Sequence, residues 1–141
     1  MKAIIEFKGY RINKLNYEVI DNDEIKALAD VDKSKVDNSF KFALNSDQTG
    51  GKVIVESDVI DIYGKRKVHA ELEANFKINK EKFKDKEEIK SALAVNGTAM
   101  LFPYVRSVIS FLSTLDSENA ILIPTLNVVE ALNEGNSTDG N

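Results

Sequence analysis

Apolar and polar residues alternate along much of the first half of the chain. Ile5, Phe7, Tyr10, Ile12, Leu15, Tyr17 and Val19 stand among polar neighbours, with one phase slip near Gly9. Alternation of this kind buries one face of a strand, and a glycine at a slip suggests a bulge. One long strand is therefore predicted over residues 4–20. The acidic stretch Asp21 to Glu24 opens a long mixed crossover that runs to Val36, with a helical turn around Ile25 to Leu28. Phe40, Phe42 and Leu44 alternate again and predict a second strand. Turn-forming residues crowd between Asn45 and Gly51, as a hairpin loop requires. A third strand follows over residues 53–63, with Val53, Val55 and Val59 on one face and Ile54, Ile60 and Ile62 on the other. Beyond the turn at Gly64 to Lys67, the fourth strand has the sharpest pattern. Val68, Ala70, Leu72, Ala74, Phe76 and Ile78 oppose His69, Glu71, Glu73, Asn75 and Lys77. One of its faces must be covered while the other meets water.

The period changes after Ile78. Residues 87–95 predict a short helix and residues 100–115 a longer one, with Leu101, Val105, Val108, Leu112 and Leu115 recurring at helical spacing. Pro103 is placed near the start of that helix, where a missing N–H costs little. Ile121 to Pro124 reads as an extended return, and Asn127 as the cap of a short final helix over residues 128–132. Strands followed by helices predict an α+β protein, a four-stranded antiparallel sheet with helices packed on one face. Residues 1–134 form a single predicted domain, and the small, polar residues 135–141 a disordered tail.

Composition narrows the function classes. Of the 141 residues 43% are hydrophobic and 30% charged, as in ordinary globular domains. Without a cysteine there is no disulfide, no thiolate metal site and no cysteine nucleophile. A formal net charge of −4 argues against nucleic acid. Lys65–Arg66–Lys67 reads as a charged turn. Lys80, Lys82, Lys84 and Lys86 read as a solvated linker, since Glu81, Asp85, Glu87 and Glu88 interrupt them. The opening apolar run ends at Glu6, too short for a signal peptide, and no apolar stretch approaches the roughly 18 residues of a membrane span, so a cytoplasmic protein is expected.

Chemistry is sparse. His69 is the single histidine and falls on the polar face of a strand beside Glu71 and Glu73, a solvated position rather than a metal site. Ser57 and Asp58 lack a nucleophile elbow, and Gly50–Gly51–Lys52 is a hairpin turn rather than a phosphate cradle. No enzyme, cofactor or metal is expected. Apolar surface, by contrast, is in surplus: Tyr10, Tyr17, Phe40, Phe42, Tyr63 and Phe76 all fall on predicted strands. If the helices cover one face of the sheet, the remainder is expected to meet another subunit or to form a recognition surface.

Met100–Leu101–Phe102–Pro103–Tyr104–Val105–Arg106–Ser107–Val108–Ile109 resembles the signature of the SecB export-chaperone family, a [LI]-F-P-Y-[AV]-R-x-x-[IV] segment. The stretch Ile123 to Leu132 is similar to the family's proline-containing return and N-[FV]-x-A-L ending, with extra residues inserted. Gly9 to Glu18 and Phe40 to Leu44 resemble its first two strands. The resemblance implies an oligomer, a dimer of dimers, that binds unfolded clients in apolar grooves without ATP. Many members pass precursor proteins to the motor SecA. Carried over, it implies client contacts at Phe40, Phe42 and Leu44. It also implies a subunit contact at Leu72, Ala74 and Phe76, with Phe76 a further client candidate. Glu18 is the candidate SecA contact, although Lys14 stands where the family often has an acid. The expected function is an ATP-independent holdase for unfolded or precursor proteins. The alternative is a dedicated partner, such as a chaperone guarding an antitoxin, without SecA. A carrier of small apolar molecules is a third, from another class.

Overall fold

The computed structural model describes residues 4–28 and 35–134. The alternating segments form strands β1 (Ile5–Val19), β2 (Lys35–Leu44), β3 (Gly50–Asp61) and β4 (Arg66–Ile78), antiparallel throughout and ordered β1-β4-β3-β2 in one sheet. Strands β2, β3 and β4 form a meander, and β1 closes the sheet at β4. Between β1 and β2 lies α1 (Asn22–Ala27), started by the Asp21 carboxylate, which accepts from the Glu24 N–H at 2.8 Å. The expected tail 135–141 lies outside the described residues.

Gly9 takes φ +114°, and the β1–β4 register shifts between Phe7 and Tyr10. This is the expected bulge, at a backbone angle that favours glycine. A second shift, between Ile12 and Lys14, was not expected. It sends the Asn13 amide to the polar face, where it donates to Glu71 and Glu73 at 3.1 and 3.4 Å.

The apolar rows of β3 and β4 are covered by α3 (Thr98–Ser113), which follows α2 (Lys86–Ala92). The two helices are not separated, as the sequence pattern suggests, but joined by a π-helical turn over Leu93–Gly97. Pro103 is therefore well inside a continuous helical run, and no helical N–H reaches the Ala99 carbonyl from it. The run, Lys86–Ser113, is long and apolar enough by composition to cross a bilayer, contrary to expectation; its Leu101, Val105 and Ile109 are fully buried in the core shared with the sheet. Gly97 allows the close approach, since a Cβ there would stand 2.8 Å from Val53 Cγ2. The final helix, α4 (Val128–Glu134), begins where Asn127 Oδ1 accepts from the Glu130 N–H at 3.1 Å.

The surplus of apolar residues is resolved differently from expectation. Strand pairing puts Phe7, Tyr10, Tyr17, Phe40, Phe42 and Phe76 on the helix side of the sheet. The outer side carries Arg11, Glu18, Lys41, Lys52, Glu56, Asp58, His69, Glu71 and Glu73, with Ile54 and Ile60 half-buried among them. Tyr63 falls in the turn after β3 and is 77% exposed.

Candidate functional site

Much of the conspicuous segment 100–109 makes structural contacts. Leu101, Phe102, Val105 and Ile109 enter the core. Tyr104 stacks on Phe7 with ring centroids 5.5 Å apart, and packs on Tyr10 at 4.7 Å. Arg106 Nε donates to the Ile123 carbonyl at 2.9 Å. That last bond holds the chain as it returns along α3, a strap over residues 117–127.

The strap is pinned through its backbone. The Ile121 N–H donates to Ser113 Oγ at 2.7 Å. Arg66, only 3% exposed, donates to the carbonyls of Ser113 and Asn119 and pairs with Asp61 at 2.9 Å. Burial opposes the Arg66 charge, but hydrogen bonding to Tyr17 and Asp61 outweighs it and raises the pKa. Tyr17 completes the knot by donating to Asp116 at 2.6 Å; burial, then the Asp116 carboxylate, raises its own pKa. The reading of Arg66 as part of a charged turn was incomplete. Its neighbours Lys65 and Lys67 have the turn's surface character, Lys67 meeting Glu18 and Glu24 at 3.4 and 3.1 Å. The sequence signal for Arg66 was its phase, shared with Val68 and Ala70 on the covered row.

Pinning the backbone turns Ile121 and Ile123 inward and leaves Leu122 79% exposed between two open grooves. One, of about 600 Å³, runs between the strap and the sheet past Val36, Val59, Tyr63 and Pro124. The other, of about 590 Å³, runs between the strap and α3 past Pro103 and Phe111, the latter 70% exposed. Large exposed apolar residues thus flank both sides of Leu122, an arrangement suited to apolar side chains of a partner.

The candidate client residues Phe40, Phe42 and Leu44 share a row with Val36 at the open edge of the sheet. Phe42 and Leu44 are half-buried, whereas Phe40 is 3% exposed. None of the three lines either groove. Phe76, also 3% exposed, packs on Phe7 at 5.6 Å. Leu72 and Ala74 are fully buried, because β4 is a central strand covered by α3. These three side chains thus lie in the interior of the single chain. Glu18 is exposed on the outer face. His69 is on the outer face as expected, its Nδ1 2.7 Å from Asp58. No cluster able to hold a metal occurs among the described residues.

No protein-family model and no curated protein matches the chain by sequence. Among solved structures it is similar to the SecB-like chaperone Rv1957 of Mycobacterium tuberculosis, in complex with a ChAD peptide from the Rv1956 HigA1 antitoxin. The TM-score is 0.59 at 16% identity, over 87% of this chain and 91% of that one. A protein of unknown function from Streptococcus agalactiae is also similar, with a TM-score of 0.50 at 10% identity, over 86% and 97%. The fold is SecB-like.

Proposed function

We propose that this chain is an ATP-independent chaperone that holds extended, apolar segments of other polypeptides. The observation that carries the reading is the strap: Leu122, Tyr63 and Phe111 stand 79%, 77% and 70% exposed around two grooves whose framework is fixed by buried hydrogen bonds. Surface this apolar is costly unless a partner uses it. Burying apolar client area at about 25 cal/mol per Å² supplies affinity without demanding a sequence. Holding then works by mass action on the unfolded client.

A dedicated client, without export, is the second reading. Two observations favour it. The structural neighbour was solved with an antitoxin peptide. The outer face is mixed in sign, with Arg11, Lys41 and Lys52 among its acids, rather than an acidic dock for a motor such as SecA. Self-association belongs to the proposal as well. Tyr10, Ile12 and Leu15 on edge strand β1 are 36%, 45% and 41% exposed, next to Tyr104 at 40%. We place the subunit contact there rather than at Leu72 and Ala74.

The test is to dilute a chemically unfolded, unrelated protein into buffer with this chain and without ATP, and to follow light scattering. Suppression near stoichiometric amounts is the expected result. If scattering is unchanged by a folded chain, general holding is ruled out and a dedicated partner remains.

A further inference from the structure

We infer that the groove between the strap and α3 binds a small amphipathic carboxylate, an apolar chain ended by a single carboxylate group, with Arg106 as its anchor; this goes beyond the client-holding reading and does not depend on it. The face of α3 turned from the core carries Pro103, Arg106, Ser107, Ser110, Phe111 and Thr114, which recur at helical spacing. Together with Leu122 and Ile123 of the strap they line the groove of about 590 Å³. That volume falls in the range of small-molecule sites. Arg106 is the single charged residue both in α3 and in the groove lining.

The two arginines that pin the strap differ in what they leave over. Every side-chain nitrogen of Arg66 is bonded, Nε to Asp61 and the two Nη groups to the carbonyls of Ser113 and Asn119. Arg106 is half-buried and uses only Nε, on the Ile123 carbonyl at 2.9 Å. Its two Nη groups have no acceptor, and its charge no carboxylate, among the described residues. A guanidinium held by one nitrogen keeps a planar pair of donors that matches the two oxygens of a carboxylate. The Ser107 and Ser110 hydroxyls likewise make no hydrogen bond among the described residues, whereas Thr114 Oγ1 donates to the Phe111 carbonyl at 2.7 Å. One cation selects a single negative charge. A phosphate monoester carries about −1.5 to −2 at neutral pH, and the groove has no second cation to meet it. The ligand's apolar part is assigned to Pro103, Phe111 and Leu122, the last two 70% and 79% exposed, where its burial adds affinity.

The full chain would be titrated calorimetrically with decanoate, below its micelle concentration, and in parallel with decanol and decyl phosphate. Decanoate should bind more tightly than decanol by about tenfold or more, from charge-assisted hydrogen bonds that the alcohol cannot make. The amide signals of Ser107 and Phe111 should shift as decanoate is added. Ser110→Glu places a carboxylate four residues from Arg106 on the same helix face, an internal partner that should abolish the preference for decanoate. Arg106→Gln should abolish it as well, and Phe111→Ala should weaken decanoate and decanol alike. Decanol bound as tightly as decanoate, or a preference that survives Ser110→Glu in a folded chain, overturns the site. Tighter binding of decyl phosphate than of decanoate overturns the carboxylate assignment. Absence of decanoate binding overturns the inference and leaves client holding, read by light scattering, untouched. Decanoate binding with the expected variant pattern in a chain that fails to suppress scattering upholds the site and removes client holding alone.

Discussion

Gly97 ends the π turn with ordinary right-handed helical dihedral angles, so its need for glycine comes from the neighbouring sheet. A Cβ would meet Val53 Cγ2 at 2.8 Å and Phe76 Cε2 at 3.4 Å. Neither can retreat easily, Val53 being fully buried and Phe76 nearly so. Gly97→Ala should cost about 1–3 kcal/mol through overpacking, read as a lower urea midpoint with an unchanged slope; an unchanged midpoint would mean that the helix yields. Leu122 presents the opposite case. At 79% exposure it contributes little to folding. Leu122→Ser should leave stability within about 0.5 kcal/mol while weakening suppression of client aggregation. Equal suppression by the variant would remove the strap ridge from the binding surface. Phe42→Ala should also weaken suppression, since Phe42 is half-buried at the open edge of the sheet.

Among the elements, the strap has the least regular structure and depends most on side chains from elsewhere. Arg66 reaches it from the first residue of β4 and is bound to Asp61 and the carbonyls of Ser113 and Asn119. Arg66→Met keeps the aliphatic bulk but removes those donors. Breaking a buried, hydrogen-bonded charge site of this kind costs about 3–5 kcal/mol. The expected result is a lower thermal midpoint and faster amide exchange at Ile121, whose N–H bond to Ser113 Oγ lies beside it. If exchange at Ile121 is unaltered, the strap is held by Arg106 and its buried isoleucines instead.

For the molecule as a whole, the knot of Tyr17, Asp116, Arg66 and Asp61 ties the sheet edge to the end of α3 and to the strap. The folded Tyr17 pKa is raised above the ordinary tyrosine range, by burial first and Asp116 second. A raised pKa favours the neutral phenol in the folded state. Its contribution is therefore complete below pH 10 and declines as pH rises through the folded value. Stability measured by urea unfolding should fall above about pH 10, and Tyr17→Phe should lessen that fall. An identical alkaline profile in the variant would assign the fall to other groups. At this scale the exposed apolar residues of β1 also make their prediction. Sedimentation should detect an oligomer, and Ile12→Lys should dissociate it without unfolding the chain.

The alternating residues by themselves determined the four strands, their polar and apolar rows and the Gly9 bulge, because one-sided burial imposes a period of two that any reader of the chain can find. Asn127 announced the last helix, since a cap acts within one turn of itself. The segment 100–109 pointed to the SecB-like fold seen in the similar structure from Mycobacterium tuberculosis. Other features depended on contacts between distant residues. The join of α2 to α3 through a π turn is set where Gly97 meets Val53, not by local propensity. The burial of Leu72, Ala74 and Phe76 followed from β4 being central, an ordering that alternation cannot encode. Arg66 looked like a surface charge until the carbonyls of residues 47 and 53 positions further along the chain surrounded it. The strap and its grooves were decided in the same way. Their geometry comes from side chains of Arg66, Arg106 and Ser113 bonded to the strap's backbone, and a backbone partner leaves no mark on the residue type at its own position.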